Sequence, residues 1–140
     1  MEENRIIKFR GKSSDNGEWV YGYYQHSLWR EGTEESNKHF IHLNQGDAER
    51  LGQCEVCIMP KTVGQYTGIR DKNEVEIYEG DIIGNEYIQG EIKWLPEHCA
   101  FVARVCDATN HAYIFLGSDG HIKNVEIVGN IHDNKRSVIK

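Results

Sequence analysis

Apolar and polar positions alternate in short runs along most of the chain, and a period of two marks a strand with one buried face. The run Ile6-Ile7-Lys8-Phe9-Arg10 opens the series and ends at Gly11, before a polar stretch whose Asn16-Gly17 pair predicts a hairpin turn. In the returning run, Glu18 to Tyr24, alternation puts Trp19, Tyr21 and Tyr23 on one face and Val20, Gly22 and Tyr24 on the other. Residues 30–38 are polar with no strand or helix face and read as a loop. His39 to Leu43 predicts a strand, Asn44 to Asp47 a turn, Asp47 to Leu51 at most one helical turn, and Cys54 to Met59 another strand closing before Pro60.

Beyond Pro60 the punctuation is sharper. Thr62 to Gly68 leads into a polar turn at Arg70-Asp71-Lys72-Asn73, followed by Val75 to Tyr78 and a tight bend at Glu79-Gly80-Asp81. Further strands are predicted at Ile82-Ile83, Tyr87-Ile88, Glu91 to Leu95, Phe101 to Cys106, Ala112 to Leu116 and Val125 to Ile131, with a turn at Asp119-Gly120 and a polar tail from Asn134. Short strands at this spacing belong to small barrels and sandwiches. The predicted fold is therefore all-β, with an N-terminal β-rich part over 1–59, a small C-terminal barrel over 60–134 and a tail at 135–140.

Composition agrees. Isoleucine and valine supply 24 of the 140 residues while leucine and alanine supply 10, and β-branched side chains favour pleated sheets. Fourteen glycines and two prolines fit many tight turns, and no apolar run approaches the length of a membrane span. The acidic first residues and the lack of an apolar stretch after them differ from a secretory signal, so a cytoplasmic product is expected. The net charge of −6 is shared by both halves, which disfavours broad nucleic-acid binding. Five of the 14 aromatic residues fall between positions 19 and 29. Such a stripe stacks bases or sugars when Arg and Lys interleave it; without them along this run, it reads as core.

Candidate chemistry is thin. Cys54-Glu55-Val56-Cys57 with His39 and His42 upstream offers two pairs of zinc-ligand residues, four in all. An extended Cys54–Met59 segment, however, puts Cys54, Val56 and Ile58 on one face and Glu55, Cys57 and Met59 on the other, so packing is the expected role and no metal or cofactor is assigned. Cys99 and Cys106 have no second close pair, and a catalytic cysteine working with His98 or His111 rests on composition alone. Gly11-Lys12-Ser13 resembles the end of a phosphate loop but has Ile6 where the earlier glycine belongs. A calcium loop over Asp71 to Ile82 fails at Val75, Glu76 and Ile82. Asp81 with Glu91-Ile92-Lys93 has the residue types of a metal-dependent nuclease, without the helices that would place them. Seven acids lie between residues 71 and 91 against the single base Lys72, and of these Asp71, Glu74, Glu76, Glu79 and Asp81 form the candidate acidic face for a basic partner.

The run from Thr62 to Asn73, continuing through Glu76 to Ile83, resembles the signature of the YopX family of phage and prophage proteins. Ile7 to Lys12, Gly17 to Gly22 and Val125 to Asn134 extend the resemblance over nearly the whole chain, with residues 30–53 the least family-like part and Val75 a small departure in the signature. The resemblance implies a mostly-β protein with an SH3-like C-terminal barrel, and it implies no assigned chemistry. The expectation is thus a non-catalytic binding protein, with a phage or host protein as partner and pairing of copies through exposed strand edges. Two alternatives stand beside it. A nucleic-acid binder would build a positive groove from Arg5, Lys8, Arg10 and Lys12 plus aromatics, and a metal-dependent enzyme would bring carboxylates or Cys/His ligands together.

Overall fold

The computed structural model describes residues 6–27, 38–84, 89–106, 111–116 and 125–133. The strand expected at Tyr87-Ile88, the turn at Asp119-Gly120, the polar tail, Arg5, Trp29, Glu86 and nearly all of the 30–38 loop lie outside the described residues, as do the side chains of Cys106 and His111. The chain is mainly β and divides into two compact units, Met1–Gln65 and Tyr66–Lys140.

In the first unit, β1 (Phe9–Lys12), β2 (Trp19–Ser27), β3 (Lys38–Leu43) and β4 (Glu55–Cys57) form an antiparallel sheet in the order β4-β3-β2-β1. Gly64 and Gln65, the first residues of β5 (Gly64–Arg70), pair with the outer side of β1. The β1–β2 connection uses the predicted Asn16-Gly17 pair. Gly17 takes the left-handed conformation at φ 73°, and Asn16 Oδ1 accepts from the Glu18 amide at 2.9 Å. Ile6 and Ile7 precede β1 and are exposed, so the first strand begins later than alternation predicts and runs to Lys12.

Between β3 and β4 a complete short helix, α1 (Gln45–Leu51), replaces the predicted turn and single helical turn. Asn44 is its cap, accepting the Asp47 amide at 2.8 Å, and Gly52 ends it at φ 72°. The inner face of the sheet is closed by Val20, Ile41, Val56 and Ile58, with Phe9, Tyr24, Leu43 and Val63 packed around them. Gly22 lets β2 approach β3 closely. A Cβ there would stand 2.0 Å from the His42 carbonyl oxygen.

The second unit begins within β5, which folds back on β6 (Glu76–Tyr78) with Tyr66 opposite Tyr78 and a register shift around Gly68 at φ 89°. Its main sheet contains β7 (Asp81–Gly84), β8 (Gln89–Leu95), β9 (Ala100–Cys106), β10 (His111–Phe115) and β11 (Glu126–Asn130) in the order β10-β9-β8-β7-β11. All pairings are antiparallel, and among the described residues the sheet is open, with β10 and β11 at its edges; its pairings do not close into a barrel. Ile77, Ile83, Ile92, Ala103, Leu116 and Val125 make its core.

Candidate functional site: the outer face of the N-terminal sheet

Pairing registers determine which side chains of the first unit share a face. Opposite residues in an antiparallel ladder project to the same side, so each register pair also makes a row across the sheet. Lys12 stands opposite Trp19 and Arg10 opposite Tyr21. Tyr23 stands opposite His42, which is opposite Glu55. Gln25 pairs with Phe40, which pairs with Cys57, and Ser27 pairs with Lys38. The inner side takes the alternate residues, Val20, Tyr24 and Ile41, which carry the core.

The aromatic stripe of β2 therefore faces outward, a correction to its reading as core. Tyr23 is 66% exposed and Tyr21 39%, whereas Val20 between Trp19 and Tyr21 is 8% exposed. The reason is pairing. The cations absent along β2 arrive from the neighbouring strand, with the Arg10 guanidinium 4.3 Å from the centre of the Trp19 ring and the Lys12 ammonium 5.5 Å from it. Arg10 is itself 6% exposed, so its role is to fix the indole, and Lys12, partly buried, and Lys38, exposed, bring positive charge to the surface. Further along the face, His42 Nε2 meets Gln25 Oε1 and lies 3.7 Å from Glu55 Oε2.

The four zinc-ligand candidates do not converge. His39 and His42 are three apart on β3 and project to opposite faces. His39 lies inside, stacked on His26 at 3.9 Å between ring centres, and its Nδ1 is hydrogen-bonded by the Tyr24 hydroxyl. Burial, and then the neighbouring His26, hold the His39 pKa below the ordinary imidazole value, while burial raises that of Tyr24. With both groups neutral, the hydroxyl donates and the ring nitrogen accepts. Cys54 is exposed before β4, and Cys57 accepts from the Ser14 hydroxyl at 3.8 Å. Among the described residues, no three His, Cys, Asp or Glu side chains gather as a metal site.

The acidic candidates have separate duties. Asp71 is 5% exposed, with Oδ1 accepting from the amides of Asn73 at 2.8 Å and Val75 at 3.0 Å and Oδ2 from Ile127 at 3.0 Å. Burial pushes its pKa upward, but these three amides, with Lys72, outweigh that cost and hold it below the ordinary carboxylate value. Asp81, 2% exposed, accepts the Tyr78 amide at 2.7 Å, and Glu76 meets both the Tyr78 hydroxyl at 3.2 Å and Arg70 at 3.8 Å. Glu79 is half-buried beside Gly80, and Glu74 is exposed in a left-handed turn at φ 64°. Two of the five thus face inward to hold backbone. The nuclease-like trio is also parted, since Asp81 is committed to Tyr78 while Glu91 stands opposite Arg104 on β9. Gly11-Lys12-Ser13 lies in and after β1, with the Lys12 amide donating to Thr62 Oγ1 at 2.8 Å. Cys99 and His98 are exposed at the end of a 3-10 turn over Pro96–His98.

The two units define a mainly-β protein with two antiparallel sheets, one of them with Tyr21 and Tyr23 exposed on its outer face. The chain belongs to the YopX protein family, whose model matches residues 8–137. Among solved structures it is similar to the crystal structure of protein EF1440 from Enterococcus faecalis, at 20% identity and a TM-score of 0.40, over 95% of this chain and 98% of that one. No curated protein matches it. Among the described residues, no helix is long and apolar enough to cross a membrane.

Proposed function

We propose that this chain is a phage- or prophage-encoded binding protein that acts without catalysis, and that the outer face of its N-terminal sheet is the surface that binds. The carrying observation is the exposure of Tyr23 and Tyr21 on a pleated surface flanked by Lys12 and Lys38. Large exposed aromatics on a rigid sheet lose little conformational entropy when covered, which makes them effective contact residues. In this reading the C-terminal unit is the supporting module. Its connectivity, a meander from β7 to β10 with β11 returned beside β7, supports an SH3-like arrangement.

Oxidative footprinting of the full chain tests the surface. In a bacterial lysate, Tyr21 and Tyr23 are expected to become protected relative to buffer, while the exposed Trp94 and Tyr113 of the second unit keep their reactivity. Equal reactivity of all four in both conditions overturns the assignment.

A further inference from the structure

We propose that the turn at residues 71–73 is an edge guard, which occupies the strand-pairing groups of β11 and keeps the β11 of a second copy from pairing there. The inference is independent of the binding-face reading. β11 lies at the end of the order β10-β9-β8-β7-β11, so its side away from β7 is an edge. An edge strand presents backbone N–H and C=O groups that a further strand can take. On β11 such groups are already engaged. The Val125 carbonyl accepts from the Lys72 amide at 3.1 Å, and the Ile127 amide donates to Asp71 Oδ2 at 3.0 Å. Residues two apart point their backbone groups to the same side of a strand, so the turn matches one acceptor and one donor of this edge as a neighbouring strand would.

One carboxylate ties the turn to the edge. Asp71 Oδ1 accepts from the Asn73 and Val75 amides of its own turn, at 2.8 and 3.0 Å, while Oδ2 reaches across to Ile127. The Asp71 amide donates to the Val75 carbonyl at 2.9 Å and the Glu74 amide to the Asp71 carbonyl at 3.0 Å, so the turn is closed on itself. A second copy is the occupant that these hydrogen bonds select. Two β11 strands brought together antiparallel about a two-fold axis at Glu126 set Ile127 of each opposite Val125 of the other, where the two residues exchange N–H and C=O bonds. These are the donor and the acceptor that the turn takes. Glu126 would then stand opposite its own copy on the axis, and like charges directly opposite repel. Its carboxylate accepts from Asn73 Nδ2 at 3.1 Å, so the same turn also holds that side chain. The register shift between Ile127 and Gly129 interrupts the regular edge beyond this stretch, as bulges do on edges kept from pairing.

The test uses the full chain with Asp71→Ser, which keeps a short acceptor for the turn's own amides and cannot reach Ile127. Circular dichroism confirms folding, sedimentation velocity reads association, and amide hydrogen exchange reads the Ile127 N–H. In wild type, exchange at Ile127 is expected to be slow and independent of protein concentration. In Asp71→Ser it is expected to be fast in dilute solution and to slow as dimers form with concentration raised to about 1 mM, the weak end of the affinity scale. Adding Glu126→Gln should tighten that dimer by about 1.4- to 5-fold, the range for one cross-strand pair. A folded Asp71→Ser that associates no more than wild type overturns the proposal. So does association that leaves Ile127 exchange unchanged, which places the contact elsewhere, and so does a dimer that Glu126→Gln fails to tighten. Protection of Ile127 that grows with concentration in wild type overturns it as well, since the edge then pairs with the guard in place. Failure of Asp71→Ser to fold has the same force, because a guard covers an edge that the sheet keeps without it.

Discussion

The two sheets handle the same strand pattern in opposite ways. In β2, burial alternates, with Val20 8% exposed beside Tyr21 at 39%, so the strand has one packed side and one on which Tyr21 and Tyr23 are exposed. In β7 and β9 neighbouring residues are buried together. Ile82 and Ile83 are 3% and 5% exposed, and Val102 and Ala103 are 0% and 4%. Successive side chains point to opposite faces, so β7 and the Val102–Ala103 step of β9 are covered on both, while β8 alternates and Trp94 and Tyr113 are exposed. A strand covered on both sides is committed to stability, whereas an open face is available for contact. That contrast, rather than any single residue, supports a binding surface on the first unit.

The largest effect that would break the contrast is a charge on the doubly covered part of β9. Val102→Asp is expected to cost about 4 kcal/mol or more, since a carboxylate there has no water. Such a loss rivals the whole stability of many domains. Urea denaturation followed by circular dichroism is the measurement. A folded variant with a midpoint close to wild type would show that this side of β9 is open after all.

Next comes the buried carboxylate at the start of the second unit. Asp71→Asn replaces one acceptor oxygen with an amide nitrogen, and the Ile127 amide loses the partner it has at 3.0 Å. A cost of about 2–3 kcal/mol at neutral pH is expected. The pH dependence has a definite sign. The folded pKa of Asp71 is held below its ordinary value, so its stabilisation is fully present above the unfolded pKa of about 3.9 and is lost as pH falls through the folded value. The difference between wild type and variant should therefore be largest near neutrality and shrink in acid below about pH 4. A gap that widens on acidification would contradict the assignment.

In the first unit the expected penalty is steric. Gly22→Ala places a methyl 2.0 Å from the His42 carbonyl oxygen, and backbone cannot rotate away as a side-chain tip can. The β2–β3 ladder must spread, at about 2–3 kcal/mol. Gly11→Ala is the milder control, because its shortest contact, 2.6 Å, is with the terminal Cδ1 of Ile58. Equal midpoints for the two variants would mean that the ladder is looser than its register implies.

Much of this fold was legible from local pattern. Alternation located β2, β3, β8 and β9, and Asn16-Gly17 located the first turn, because each depends on neighbours in sequence. What depended on pairing was not legible. The cations around Trp19 belong to β1, seven or more positions away, so a search for interleaved Arg and Lys within β2 missed them. Asp71 reads as one acid in a charged run until Ile127, 56 residues distant, supplies its amide. His39 and Cys57 look like ligands on spacing, yet Cys57 pairs with Phe40 and His39 turns inward to Tyr24. The start of α1 was missed for a local reason, since Asn44 was read as a turn residue when its side chain caps a helix. Part of this grouping was in the sequence: Arg10 and Lys12, placed with aromatics in the nucleic-acid alternative, share the parity of one strand face, and a hairpin across Asn16-Gly17 brings that strand beside the aromatic one.

The smallest expected effect sharpens the comparison most, because it asks two adjacent residues to behave differently. Tyr23 is 66% exposed on the outer side, and Tyr23→Ser should change stability by no more than about 0.5 kcal/mol. Tyr24 points inward. Its ring packs 5.7 Å from Phe9 and its hydroxyl bonds His39 Nδ1, so Tyr24→Ser removes apolar contact and leaves an imidazole nitrogen unsatisfied, for about 2 kcal/mol or more. Denaturant midpoints of the two variants, measured side by side, test the inside–outside alternation on which the binding face depends. If Tyr23→Ser proves as costly as Tyr24→Ser, the outer ring is structural and the face is already occupied within the chain. If it is silent, the outer ring is not structural, as a contact residue on that face must not be.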